Sequence, residues 1–278
     1  MILFSTLKSS VFYYPTDYST GFLIVGDFFR KYAYAVWYTV VISWKTDGFR
    51  KCKYSLFRTN FFRKDFSSMK AYERLLSYVK IFTPSNEEST SSPSSRCQFD
   101  LARLLVEELK GLGISDVTLD DHCYVYAHLP ATEGLEHCKA LGFIAHMDTV
   151  SDFCDHAVTP VITENYDGKD LPLGTSGRTL SPEMFSHLTS LAGRTLITSD
   201  GTTILGADDK AGIAEILTAL EHILTEKIPH GPLCVAFTPD EEIGMGPAHF
   251  NVKKFGADYA YTLDGDTEGG IVLLLPPT

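Results

Sequence analysis

The chain has 278 residues, 44% of them hydrophobic, enough to bury the core of one large domain or two ordinary ones. Lys and Arg number 24 against 35 Asp and Glu, a net charge of −11; such a surface repels phosphate backbones and argues against a nucleic-acid partner. No uninterrupted apolar run reaches the roughly 18 to 20 residues of a membrane helix, because Asp27, Arg30 and Lys31 break up the best candidate, residues 22–44. The six cysteines (Cys52, Cys97, Cys123, Cys138, Cys154 and Cys234) form no C-x-x-C pair. Neither a cysteine zinc site nor a disulfide framework is indicated, and a reducing, cytoplasmic setting is expected.

Residues 1–68 differ from the rest, with ten Lys/Arg against four Asp/Glu, many Phe and Tyr, and no helical or alternating period. They read as an extension outside the folded unit, with Met69 as a natural start. From there the pattern becomes α/β. An amphipathic helix is predicted over 69–82, ended by Pro84, Ser85 and Asn86. After a Ser-rich loop, Phe99, Leu101, Ala102, Leu105, Val106 and Leu109 form a helical stripe over 98–112, closed by Gly111 and Gly113. Short apolar runs at 124–129, 141–145, 233–237 and 259–263 read as buried strands, and 209–225 as a strong helix. Strand and helix alternate as in a sheet covered on both faces.

The acids and histidines fall at the strand ends. Residues 142–145 run into His146-Met147-Asp148, 235–237 into Asp240-Glu241-Glu242, and 261–263 into Asp264-Gly265-Asp266. Open α/β sheets bind ligands outside the carboxyl ends of their strands. A fourth element, Gly206-Ala207-Asp208-Asp209-Lys210-Ala211-Gly212, precedes the strong helix. Singly, each has a plainer reading: Asp208 or Asp209 caps the helix, His146 is a satisfied core histidine, Glu241 and Glu242 form a solvated turn, and Asp264-Gly265 makes a turn. Together, one imidazole and three or four carboxylates at one sheet edge repel one another without a cation. Mixed N and O ligands suit zinc or a similar divalent ion, and this many carboxylates fit a bridged pair of metals better than one tetrahedral centre. Glu241 and Glu242 are adjacent, so one can ligate while the other acts as general base. The His146-x-Asp148 spacing lets a carboxylate lie beside the imidazole and fix its tautomer.

Several segments closely resemble the peptidase T, or tripeptide aminopeptidase, branch of the M20 family of co-catalytic zinc peptidases: Ala145-His146-Met147-Asp148-Thr149, Glu164-Asn165-Tyr166-Asp167-Gly168, residues 196–203, residues 205–215, and Glu241-Glu242-Ile243-Gly244. The resemblance runs from Met69 to about Gly270, with spacings of 62, 34 and 22 positions along His146, Asp208, Glu242 and Asp264. It implies a three-layer α/β/α zinc-peptidase catalytic domain over 69–278, with His146 and Asp264 on one zinc, Asp208 bridging two, and Glu242 on the second. It further implies Glu241 as general base toward an attacking water, Asp148 orienting His146, and a cis peptide bond after Asp208. The implied substrate is a short peptide with a free amino terminus, and the product its first residue.

In the family a lid domain interrupts the catalytic domain, which then resumes and supplies a last histidine to the second zinc. This sequence reads as truncated before the lid domain and the C-terminal part, ending in an apolar stretch after Gly270. The expectations that follow are a second zinc site holding Asp208 and Glu242 alone, impaired catalysis, and no family-type homodimer, because the lid makes those contacts. Two other readings stand beside it: another M20-type dipeptidase or deacylase, and a non-catalytic protein that binds metal or peptide.

Overall fold

The structure is a computed structural model that describes residues 69–264, together with the backbone of four strands outside them, 8–12, 22–25, 40–43 and 271–274. The chain divides into two compact units. The smaller, Tyr13–Ser67, contains strands β2 (Phe22–Val25) and β3 (Val40–Ser43), paired antiparallel.

The larger unit begins with β1 (Lys8–Phe12) and continues through α1 (Ala71–Tyr78), α2 (Gln98–Gly111), β4 (Asp116–Leu119), β5 (Val125–Leu129) and β6 (Leu141–His146). Between β6 and the long helix α3 (Ala207–Thr225) lie β7 (Pro160–Thr163), β8 (Leu171–Leu173), β9 (Arg178–Leu180), a 3-10 turn (Ser186–Leu191) and β10 (Leu196–Ser199). Then follow β11 (Leu233–Thr238), α4 (Val252–Phe255), β12 (Tyr259–Asp264) and β13 (Ile271–Leu274). The predicted helices and strands fall within a few residues of the observed ones. The expectation that residues 1–68 stand apart concerns residues largely outside the described ones; the five of β1 lie in the main sheet.

That sheet has seven strands in the order β13-β1-β12-β6-β11-β5-β4. Its centre is parallel, with β6 between β12 and β11, while β5 and β4 add antiparallel on one side. On the other side β1 is antiparallel to β12, and β13 runs parallel to β1. All six residues of β11 are buried, as expected of a strand covered on both faces. Leu233, Val235 and Phe237 point into one cluster with the apolar stripes of α1, α2 and α3, while Cys234 and Ala236 join Tyr124, Tyr126 and Phe255 on the other. The second face is covered by α4 and the chain leading to it, through Phe250 and Phe255. Three layers result.

The long spacing between His146 and Asp208 is taken up by an excursion of two small sheets, β7 with β10 and β8 with β9. It has its own core of Tyr166, Leu173, Leu180, Leu188 and Leu196. These strands are not legible in the sequence, because three or four residues carry too few alternations to register a period.

Candidate metal centre

Because β6, β11 and β12 are parallel neighbours, their carboxyl ends share one edge. Thr238 pairs with His146, and Thr262 with Ile144, so Asp264 ends β12 level with His146. The Gly206 backbone, at φ 66°, turns the chain into α3 close against Thr149 and delivers Asp208 to the same edge. The peptide bond between Asp208 and Asp209 is cis. Both residues have non-helical torsions, so regular coiling begins only at Lys210.

One ligand atom each of His146, Asp208 and Asp264 lie within 4.8 Å of one another. His146 is 2% exposed, and its Nε2 stands 3.1 Å from Asp208 Oδ1 and 3.8 Å from Glu241 Oε2. Its Nδ1 meets the backbone carbonyl of Asp148 at 3.0 Å, with the Asp148 carboxylate farther off at 3.4 Å. Both carboxylate oxygens of Asp148, fully buried, accept hydrogen bonds instead from the backbone N–H groups of Glu241 (2.9 Å) and Glu242 (3.1 Å). Asp148 therefore touches the imidazole chiefly through its main chain, while its side chain holds the turn that carries the two glutamates.

The electrostatics describe a pocket short of positive charge. Burial alone would depress the His146 imidazole, but its hydrogen bonds to Asp148 and Asp208 hold it well above its ordinary value. Burial pushes Glu242 up to about 7, His146 opposing and the carboxylates of Asp208, Asp148 and Glu241 adding to the rise. Burial raises Glu241 too, against the pull of His146. Asp209, buried behind the site, is driven well up by burial, with Asp264 and Asp208 reinforcing it against His146.

This donor set fits a divalent metal. One imidazole nitrogen and two carboxylate oxygens converge, the mixed N/O chemistry of zinc, and the crowded carboxylates are what a cation would relieve. Asp208 is 41% exposed and Glu241 49%, so the cluster opens to solvent on the side where the glutamates stand. Among the described residues this is the one group of three or more such side chains close enough to hold an ion. Glu242 lies outside that trio, though it feels the charges of His146 and Asp208.

Five further residues, Ser94, Gln98, Asp209, Lys210 and Asp240, support the site through contacts that local sequence does not reveal. Asp209 accepts the backbone N–H of His146 (3.0 Å) and of Gly212 (3.2 Å), tying the end of β6 to the start of α3. Lys210 is buried, donates to the Ile81 carbonyl at 2.7 Å, and is pulled down to about 8 by burial. Asp240 is held by Ser94 and Gln98. The doubled Asp208-Asp209 was the available signal for Asp209; the others pair across separations of more than a hundred residues, which no local spacing reveals.

Residues 200–271 match the family model of Peptidase family M20/M25/M40. The mixed sheet flanked by helices is similar to the fold of solved M20-type aminopeptidases. In sequence the chain is similar to peptidase T. It is 52% identical over 200 residues to Peptidase T of Alkaliphilus oremlandii, covering 71% of this chain and 49% of that protein. It is 51% identical over 201 residues to Peptidase T of Bacillus cereus, covering 72% and 49%. Among solved structures, aminopeptidase PepT of Bacillus cereus superposes with a TM-score of 0.50 at 25% identity, over 71% of this chain and 43% of the other. A tripeptidase of Staphylococcus aureus gives 0.50 at 26%, over the same shares. The chain spans about half the length of the curated relatives it matches. Among the described residues, no helix is long and apolar enough to cross a membrane.

Proposed function

We propose that this chain carries the metal-binding catalytic half of a zinc aminopeptidase of the peptidase T kind, which removes the first residue from tripeptides. The observation that carries the reading is the convergence of His146, Asp208 and Asp264 within 4.8 Å at the ends of parallel strands and a helix start, with Glu241 3.8 Å from the same imidazole.

In this reading His146, Asp208 and Asp264 would hold a first zinc, and Asp208 and Glu242 would contribute to a second. A bound divalent ion supplies Lewis-acid polarisation of the scissile carbonyl and makes a water more acidic. Glu241 is the base: half-exposed and with its carboxyl raised by burial, it is suited to take a proton from the attacking water near neutral pH. The hydroxyl adds to the carbonyl carbon, the C–N bond breaks, and Glu241 returns the proton to the departing amine. Asp148 keeps the Glu241 and Glu242 amides fixed, so the base stays within reach of the cluster.

The test is release of the amino-terminal residue from a simple tripeptide, with and without added Zn2+, by the chain and its Glu241→Ala variant. We expect slow, zinc-dependent release that Glu241→Ala reduces by about 10²- to 10⁴-fold. Bound zinc without turnover favours the non-catalytic metal-binding reading. Preference for N-acylated substrates favours a deacylase.

A further inference from the structure

Asp240 joins β11 to the two glutamates, and its backbone has φ 56°, the left-handed region that residues other than glycine seldom adopt. Its carboxylate is buried and accepts three hydrogen bonds from one distant segment: the Ser94 N–H at 2.7 Å, the Ser94 hydroxyl at 2.5 Å and the Gln98 side-chain amide at 2.7 Å. A carboxylate only accepts, so Gln98 turns its Nε2 toward Asp240, and its Oε1 is left buried without a partner. An orphaned buried acceptor lowers stability, and such local costs collect where a contact serves something other than stability. The same turn is also gripped by Asp148, which accepts the two glutamate amides. Two buried carboxylates therefore pin three consecutive residues.

We propose that Ser94 and Gln98 are positioning residues: acting through Asp240, they set the direction in which Glu241 and Glu242 face the cluster of His146, Asp208 and Asp264. The purpose of that aim rests on the metallopeptidase reading above, whereas the clamp is a matter of these hydrogen bonds alone. Ser94 supplies two of the three donors and Gln98, in the first turn of α2, the third. The rigid helix thereby fixes the register of the turn, and packing of α2 on β4 and β5 holds the helix in place.

The decisive variant is Gln98→Met, which keeps the length of the side chain while removing the donor and the orphaned acceptor together. We expect its melting temperature to be unchanged or higher. Hydrogen exchange at the Glu241 and Glu242 amides should be faster by roughly 10-fold, the scale of one lost bond to a charged group. Its affinity for Co2+ alone, read from the visible absorption of the bound ion, should fall by about 10- to 100-fold. Gln98→Glu, which sets a second carboxylate against Asp240, should lose affinity similarly. Unchanged exchange at Glu241 and Glu242 in Gln98→Met would overturn the proposal. So would a lower melting temperature with exchange accelerated throughout the chain, since that is a merely structural role. If the unaltered chain binds no Co2+, the metallopeptidase reading falls, and exchange at the turn still decides the clamp.

Discussion

Asp148 Oδ1 accepts the backbone N–H of Glu241 at 2.9 Å, across 93 positions of sequence. With Oδ2 on the Glu242 amide at 3.1 Å, one buried side chain joins the end of β6 to the turn after β11. The position of the candidate base is thus set by a carboxylate two residues beyond the strand that presents His146. Asp148→Asn replaces one of the two acceptor oxygens with a donor and leaves a buried amide N–H facing another. We expect a loss of about 1–3 kcal/mol in stability and of roughly 10- to 100-fold in metal affinity, measured by urea denaturation and calorimetric titration.

Gly212 lies where α3 touches β12. A Cβ there would come within 2.2 Å of the Leu263 carbonyl oxygen and 2.4 Å of Asp209 Oδ1, both close to the cluster of His146, Asp208 and Asp264. In an open helix, Gly→Ala stabilises by about 1 kcal/mol. Here the clash is with backbone, so Gly212→Ala is expected to destabilise by about 1–3 kcal/mol and to weaken metal binding by displacing Asp209. A more stable variant in denaturation would contradict this.

Arg74 ties three helices together, bonding Glu108 of α2 at 2.6 Å, and Glu221 and Thr218 of α3 at 2.7 and 2.9 Å. The arginine is almost fully buried and both acids are largely covered. Arg74→Ala leaves two carboxylates without their counter-charge, a loss of about 3–5 kcal/mol. Arg74→Lys should recover little of it, because one ammonium cannot span partners that a planar fork reaches at once. Equilibrium denaturation of the two variants checks both statements.

Glu215 on α3 is raised from an ordinary 4.5 to about 7 by burial. The folded chain therefore keeps a proton that the unfolded chain has released across this window, so stability declines as pH rises from about 4.5 to 7. Glu215→Gln removes the titration. It should stabilise the protein by about 3–4 kcal/mol at pH 8, with the gain vanishing below about pH 4.5, because each tenfold difference in proton affinity between the folded and unfolded chain is worth about 1.4 kcal/mol. Thermal melts of both proteins across that range measure it; a gain independent of pH would contradict the assignment to Glu215.

The sheet's three parallel strands and its two long helices were legible because buried strands and amphipathic helices write their burial into local period. The convergence of His146, Asp208 and Asp264 was legible for a related reason: His146 and Asp264 end parallel strands, and Asp208 opens a helix, so the topology alone brings them together. The side-chain role of Asp148 was not. The spacing of His146 and Asp148 points the carboxylate at the imidazole, but residues two apart on an extended chain can meet through the main chain, which frees the carboxylate for Glu241 and Glu242. The contacts of Asp240 with Ser94 and Gln98, and of Lys210 with Ile81, depend on segments far apart in sequence meeting in space, which no composition or period encodes.

The central claim is that His146, Asp208 and Asp264 form a divalent-metal site, and its most direct test is equilibrium dialysis against Zn2+ followed by elemental analysis of the chain and its His146→Ala and Asp208→Ala variants. The account predicts at least about one tightly held zinc per chain, with each substitution weakening binding by about 10-fold or more, since losses beyond the ligands themselves already reach 10- to 100-fold. Retention of no zinc by the unaltered chain, or equal retention by all three proteins, would contradict it.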